Sequence, residues 1–149
     1  MEIGMIRISR SALLPYSASD LFALVNDIEA YPGFLQGCVG ARVLSANERE
    51  IVATLDLGKA GLRYSLTTRN ELHPPQRMLM HLVDGPFRHF QAEWTFDALN
   101  DTACKASLDM QFEFSAGLID AALGALFEAT AKDLVNAVCK RAEQLYGKR

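Results

Sequence analysis

Residues 104–114 read CKASLDMQFEF and residues 117–146 read GLIDAALGALFEATAKDLVNAVCKRAEQLY, and the change of period between the two decides the fold. In the first, Cys104, Ala106, Leu108, Met110, Phe112 and Phe114 alternate with Lys105, Ser107, Asp109, Gln111 and Glu113. That is the two-residue period of a strand with one buried and one wet face. In the second, Ile119, Leu123, Leu126, Phe127, Thr130, Leu134, Ala137, Val138 and Leu145 recur at helical spacing, with Lys132, Asp133, Asn136, Lys140 and Glu143 opposite them. A helix from about Gly117 to Tyr146 is roughly 45 Å long at 1.5 Å per residue, and Gly147 stands where a C-cap belongs. A sheet with one apolar face must bury it, and this helix is the one predicted element long enough to cover it. The expectation is an α+β fold, an antiparallel sheet of six to seven strands curved around a long C-terminal helix.

Working outward, the period-2 pattern extends back to Cys38. Leu62, Tyr64, Leu66, Thr68, Asn70 and Leu72 form the inward phase of one strand, and Arg63, Ser65, Thr67, Arg69 and Glu71 form its wet phase. His73-Pro74-Pro75 stops it. Met78, Met80 and Leu82 repeat the pattern, Asp84-Gly85-Pro86 turns the chain, and Phe90, Ala92, Trp94 and Phe96 answer on the return, before a turn at Asn100-Asp101. Further upstream, Ser17 reads as an N-cap with Asp20 three residues on, and Tyr16 and Leu21 are spaced as a hydrophobic staple. Leu21, Phe22, Leu24, Val25 and Ile28 continue at helical spacing to Tyr31-Pro32-Gly33, where proline ends or turns the helix. Met5 to Leu13 reads as an edge strand. No repeat or linker interrupts the 149 residues, which are expected to form one domain over 1–149.

Half of the residues are apolar and 22% are charged, which excludes intrinsic disorder. Fifteen Lys and Arg against eighteen Asp and Glu give a net charge of −3, the wrong sign for a bulk basic field, so DNA is excluded as a partner and any RNA contact must be local. Cys38, Cys104 and Cys139 form no C-x-x-C pair and read as reduced thiols. No apolar run approaches the ~18 residues of a membrane span, and the N-terminus lacks a signal-peptide core. A cytoplasmic protein is expected.

The inward phase carries almost no ionisable group, so no catalytic residue is assigned. His73, His81 and His89 are spaced by eight, but His81 and His89 fall on the wet phase and His73 adjoins a Pro-Pro turn. No metal site is assigned. The local basic set is Lys59, Arg63, Arg69, Arg77 and Arg88, on strand edges and the wet sheet face.

The stretch Ser17 to Cys38, SASDLFALVNDIEAYPGFLQGC, resembles the signature helix and loop of the coenzyme Q-binding, ribosome-association-toxin branch of the polyketide cyclase and START-like superfamily. Further matches in the same order are Lys59-Ala60-Gly61, Thr68-Arg69-Asn70, Leu82-Val83-Asp84-Gly85-Pro86-Phe87, Trp94-x-Phe96 and Phe112-x-Phe114. Where this chain has Gln36, the family often has proline. The resemblance implies a helix-grip fold with two short helices after the first strand and a hydrophobic tunnel between sheet and helix. It implies non-catalytic binding of ubiquinone or a related isoprenoid lipid as cargo, in support of respiration, with no cofactor required. As an alternative it implies a toxin that binds the large ribosomal subunit and blocks subunit association, and as a third a polyketide cyclase or aromatase. The residues expected to touch the ligand are Phe34, Leu35, Tyr64, Leu66, Thr68, Asn70, Met80, Leu82, Phe90, Trp94, Met110, Phe112, Leu123, Leu126 and Phe127. Methionine and phenylalanine suit a long flexible guest, and Tyr64, Thr68 and Asn70 are placed to hydrogen-bond a quinone oxygen. Phe34, Leu35, Leu118 and Leu126 are expected at the entrance, where they would touch the inner-membrane surface during exchange. In the toxin alternative, Lys59, Arg63, Arg69, Arg77 and Arg88 contact the ribosome.

Overall fold

The computed structural model describes residues 5–115, 117 and 121–148. Strand β1 (Ile6–Leu14) leads into α1 (Ala18–Asn26) and a 3-10 helix (Ile28–Gly33). There follow β2 (Cys38–Ala46), β3 (Glu50–Lys59), β4 (Leu62–His73), β5 (Arg77–Asp84), β6 (Phe87–Asn100), β7 (Ala103–Phe114) and α2 (Ala121–Tyr146). The seven strands form one sheet in the order β1-β7-β6-β5-β4-β3-β2. Every neighbouring pair is antiparallel, so β1 and β2 are the edges. This is the helix-grip architecture expected from the sequence.

The alternation in β7 survives intact because β7 lies between β1 and β6 and has one face against the core. Cys104, Ala106, Leu108 and Phe112 are wholly buried, and each large apolar side chain so placed contributes about 1.5–3 kcal/mol. Ser17 caps α1, its Oγ accepting from the Asp20 N–H at 3.0 Å, and Tyr16 and Leu21 are both buried. The helix stops at Asn26 rather than at Tyr31, because Asp27 leaves helical geometry (φ −84°, ψ 71°). In a continued α-helix Pro32 would collide with the carbonyl of Ile28. The 3-10 turn avoids this and places Ile28 and Tyr31, three residues apart, on one buried side.

Two ends of α2 are held differently. At its C-terminus the Tyr16 hydroxyl donates to the Gly147 carbonyl at 2.7 Å and the Tyr146 hydroxyl to the Asp20 carbonyl at 3.0 Å. From Ala121 to Thr130 only Phe127 is buried. Leu145, expected on the buried stripe, is 49% exposed, while its neighbours Ala142 and Tyr146 are the residues of that turn that pack inward. Leu118 and Ile119 lie outside the described residues. Leu62, expected inward, is 45% exposed at the projecting end of the β3–β4 hairpin. No described helix is long and apolar enough to cross a membrane.

The β5–β6 hairpin is only partly zipped. Pairing runs from Arg77 opposite Thr95 to His81 opposite Gln91. Beyond that, Leu82 pairs with Thr68 of β4 and Phe87 pairs with Phe114 of β7. The ends of β5 and β6 nearest the Gly85-Pro86 turn therefore part from each other.

Candidate functional site

Where α2 crosses the concave face of the sheet, the fit leaves an apolar cavity of about 50 Å³. Its wall includes Leu35, Leu66, Met80, Phe90, Trp94, Met110 and Phe127, all expected at a ligand site. It also includes Tyr31, Leu55, Leu57, Thr130, Ala131 and Leu134. Thr130 and Leu134 stood on the helix stripe, and Leu55 and Leu57 belong to an alternation in β3 (Ile51, Ala53, Leu55, Leu57) that signalled them. Tyr31 came inward through the 3-10 turn, which the sequence reading ran as continued helix.

The rest of the expected ligand set does not border this cavity. Thr68 and Asn70 are buried but lie off this wall, and Thr68 Oγ1 donates to Asn70 Oδ1 at 2.8 Å, which engages the Thr68 proton and the Asn70 carbonyl. Leu82 is half-buried beside Thr68 at the parting of β5 and β6. Phe112 is not on the cavity wall, and its ring centroid lies 4.8 Å from that of Phe127. Leu123 is half-buried in the first turn of α2, and Leu126 faces an outer groove. Phe34 is no free anchor for a membrane. Its ring meets Tyr31 edge-on at 5.4 Å and lies under the Arg141 guanidinium at 5.5 Å. Tyr64 stands off the wall with its ring 6.5 Å from Phe127, and its hydroxyl is buried without a hydrogen-bond partner. Burial raises the Tyr64 phenol well above its ordinary range.

Phe127 is the centre of an aromatic cage. Its ring lies 4.8 Å from Phe112, 4.9 Å from Phe87, 5.9 Å from Phe114 and 6.3 Å from Phe90, each near edge-to-face, the favoured geometry for aromatic pairs. Among the described residues the cavity wall carries no carboxylate, imidazole or cationic side chain. Its two hydroxyls are engaged, Tyr31 donating to the Val25 carbonyl and Thr130 to the Gln36 carbonyl. Desolvation pushes the nearby Cys38 thiol up to about 11, which leaves it a protonated, poorly nucleophilic group. Among the described residues no cluster of three His, Cys, Asp or Glu side chains could hold a metal ion.

On the wet face the expected basic set is largely neutralised. Arg69 pairs with Glu50 at 3.2 Å, Arg88 with Glu113 at 3.7 Å, and Arg77 with Glu93. Lys59 and Arg63, at the β3–β4 hairpin, have no carboxylate partner among the described residues. His73 and His81 both approach Glu71, at 2.6 and 3.5 Å. The hydrogen bond from His73 is the largest cause holding the Glu71 carboxyl below the ordinary glutamate range.

A family model described as polyketide cyclase/dehydrase and lipid transport matches residues 14–139. The ribosome association toxin RatA of Escherichia coli (strain K12) is 44% identical over 149 residues, covering 100% of this chain and 94% of that protein. The mitochondrial coenzyme Q-binding protein COQ10 homolog B of Xenopus laevis is 24% identical over 148 residues, covering 97% of this chain and 61% of that protein. Among solved structures, the Zhui aromatase/cyclase from Streptomyces sp. R1128 superposes with a TM-score of 0.79 at 18% identity, covering 95% of each chain. That last likeness carries the fold alone.

Proposed function

The chain belongs to the polyketide cyclase/dehydrase and lipid-transport family, and we propose that within it this protein is a ribosome-associating factor that binds the large subunit and hinders its union with the small one. The observation that carries this reading is the end-to-end identity of 44% with the Escherichia coli ribosome association toxin. The geometry agrees with a binding role. Among the described residues the interior cavity is lined by apolar side chains and engaged hydroxyls, and the work is placed on the exterior. Such a protein acts in the cytoplasm, where translation takes place. The test is to mix the purified chain with separated ribosomal subunits and resolve them on a sucrose gradient. Comigration with the large subunit, and a fall in recombined ribosomes, are expected. A chain that stays at the top of the gradient and leaves recombination untouched refutes the proposal.

A second reading is favoured by the cavity itself, whose wall of Leu, Met, Phe and Trp suits an apolar guest such as a quinone or isoprenoid. About 50 Å³ is a third of the ~150 Å³ that holds benzene in an engineered core, so a quinone ring enters only if the cage around Phe127 opens. In that event Leu35, Leu66, Met80, Trp94 and Met110 would contact it, and the guest is cargo, with no cofactor needed. Organic extraction and mass spectrometry of protein made in a quinone-producing host decides the point. Stoichiometric lipid supports the reading, and none, with no uptake of added short-chain quinone, removes it.

A further inference from the structure

Beside the middle of α2, on the outside of the molecule, runs an open groove of about 660 Å³. It lies where three elements meet and is fixed by their contacts. The Gly58 N–H of β3 donates to the Gly37 carbonyl at 3.0 Å, and Thr130 of α2 donates to the Gln36 carbonyl at 3.3 Å. Both glycines are required by the close approach. Gly37 has φ +94°, and a Cβ there would lie 2.5 Å from Thr130 Oγ1; a Cβ on Gly58 would lie 2.5 Å from the Leu62 carbonyl oxygen. Lys59 comes to the groove from the end of β3 and Lys140 from α2, with Asp133 the one acid among the described residues of the lining.

The groove gathers two cations that are held in no ion pair among the described residues, as Arg7 and Lys105 also are on the wet face, and it sets them on opposite sides of one hollow. On the wet face of the sheet Arg42, Arg69, Arg77 and Arg88 each lie within 3.7 Å of a carboxylate. A phosphate arriving there meets a neutral pair and must approach its acid as well as its base. Lys59 and Lys140 have no such partner among the described residues, and neither does Arg63, whose stem lies against Gly58. Two other surface hollows hold one Lys or Arg each, Arg49 beside Glu48 and Glu71, and Lys148 beside Glu143. A groove with unpaired cations on both banks, open along its length, has the form of a track for a phosphate backbone, where a local positive charge serves even on a chain of net charge −3.

We infer that this groove between the β3–β4 hairpin and α2, with Lys59 and Lys140 on its two banks, is where the protein grips the sugar-phosphate backbone of ribosomal RNA. The inference rests on the ribosome reading and moves the contact from the wet sheet face to the side of the helix. The test is co-sedimentation with purified large subunits over a salt series, comparing the wild-type chain, Lys59→Gln with Lys140→Gln, and a charge-neutral control at the ion pair Arg42–Asp56, Arg42→Gln with Asp56→Asn. All four positions are exposed or half-buried, and a thermal melt verifies that each variant is folded. With a slope of about 0.7 per phosphate on single-stranded RNA, removing two contacts flattens the log affinity against log salt slope by about 1.4 and weakens binding roughly tenfold at 0.15 M salt. The control should stay within about twofold of wild type. A groove variant with unchanged affinity and slope overturns the assignment while leaving the ribosome reading in place. Lost affinity with an unchanged slope also overturns it, because the partner at the groove is then not phosphate. A wild-type chain that fails to sediment with the subunit overturns the ribosome reading, and the groove assignment with it.

Discussion

Replacing Phe127 with alanine tests the packing on which the interior depends. The ring is 5% exposed, touches four other phenylalanines and forms one wall of the cavity. It is also the one buried side chain between Ala121 and Thr130. Deleting it removes a benzene-sized volume next to an existing void of about 50 Å³, giving roughly 150 Å³ if the walls hold. The expected loss is about 4 kcal/mol, in the middle of the range for Phe→Ala in a core, where unrelaxed cavity volume adds to lost transfer energy. For a chain of this size that lowers Tm by roughly 8–16 °C. Urea unfolding followed by the fluorescence of Trp94, the single tryptophan, gives the stability directly. Benzene should stabilise the variant and leave the wild-type chain unaffected, since only the enlarged space admits it. A loss below about 1.5 kcal/mol, or an equal response of both proteins to benzene, would mean that α2 slides in to fill the gap and that Phe127 does not pin it.

Three further outcomes are expected. Tyr64→Phe deletes a buried hydroxyl that has no partner, so stability should be unchanged or slightly raised; a loss above about 1 kcal/mol shows that the hydroxyl is satisfied after all. Ser17→Ala removes the cap bond to the Asp20 N–H and should cost about 1 kcal/mol, with Ser17→Gly costing less, as chemical denaturation will report. Glu71 has a folded pKa below its ordinary value of 4.5, chiefly through the His73 hydrogen bond. Its contribution to stability is therefore full above that value and is lost as pH falls through the lower, folded one. Carbon-detected NMR should find the Glu71 midpoint below 4.5 and find it raised in His73→Gln; identical midpoints refute the assignment of cause.

The parts of the fold that were legible are those where one residue's environment is set by its own period. β7 alternates cleanly because its whole length faces a core on one side, and Ser17 announces α1 because a cap needs only its own first turn. The end of α1 was misread because the helical spacing from Leu21 to Ile28 does not reveal that Asp27 has left the helix. The site was half legible for a different reason. The inward phase of a strand says which side chains leave water, but only the curvature of the sheet and the crossing of α2 select those that border the void. Thr68 and Asn70 are as inward as Leu66, yet they bond to each other. Ion pairs were illegible in the same way: nothing local ties Arg77 to Glu93 or Arg69 to Glu50, and only the register of the strands brings them together.

The shell around the cavity is uneven, and its weak side has a definite place. The far end of α2 is closed by the reciprocal bonds of Tyr16 and Tyr146, so it cannot lift without leaving buried hydroxyls unpaired. At the near end, from Ala121 to Thr130, Phe127 is the one buried side chain, and Thr130 bonds to the Gln36 carbonyl. Beside the Phe127 ring, the parted ends of β5 and β6 make no ladder bonds to each other, so separating them further breaks none. Phe87 and Phe90, which cage Phe127, belong to the start of β6, where it pairs with β7 but not with β5. The groove with Lys59 and Lys140 is built on α2 from Leu126 to Lys140, the same stretch that carries Phe127. Movement of that stretch changes the distance between its two cationic banks, so the inside of the grip and the outer groove share one mechanical element.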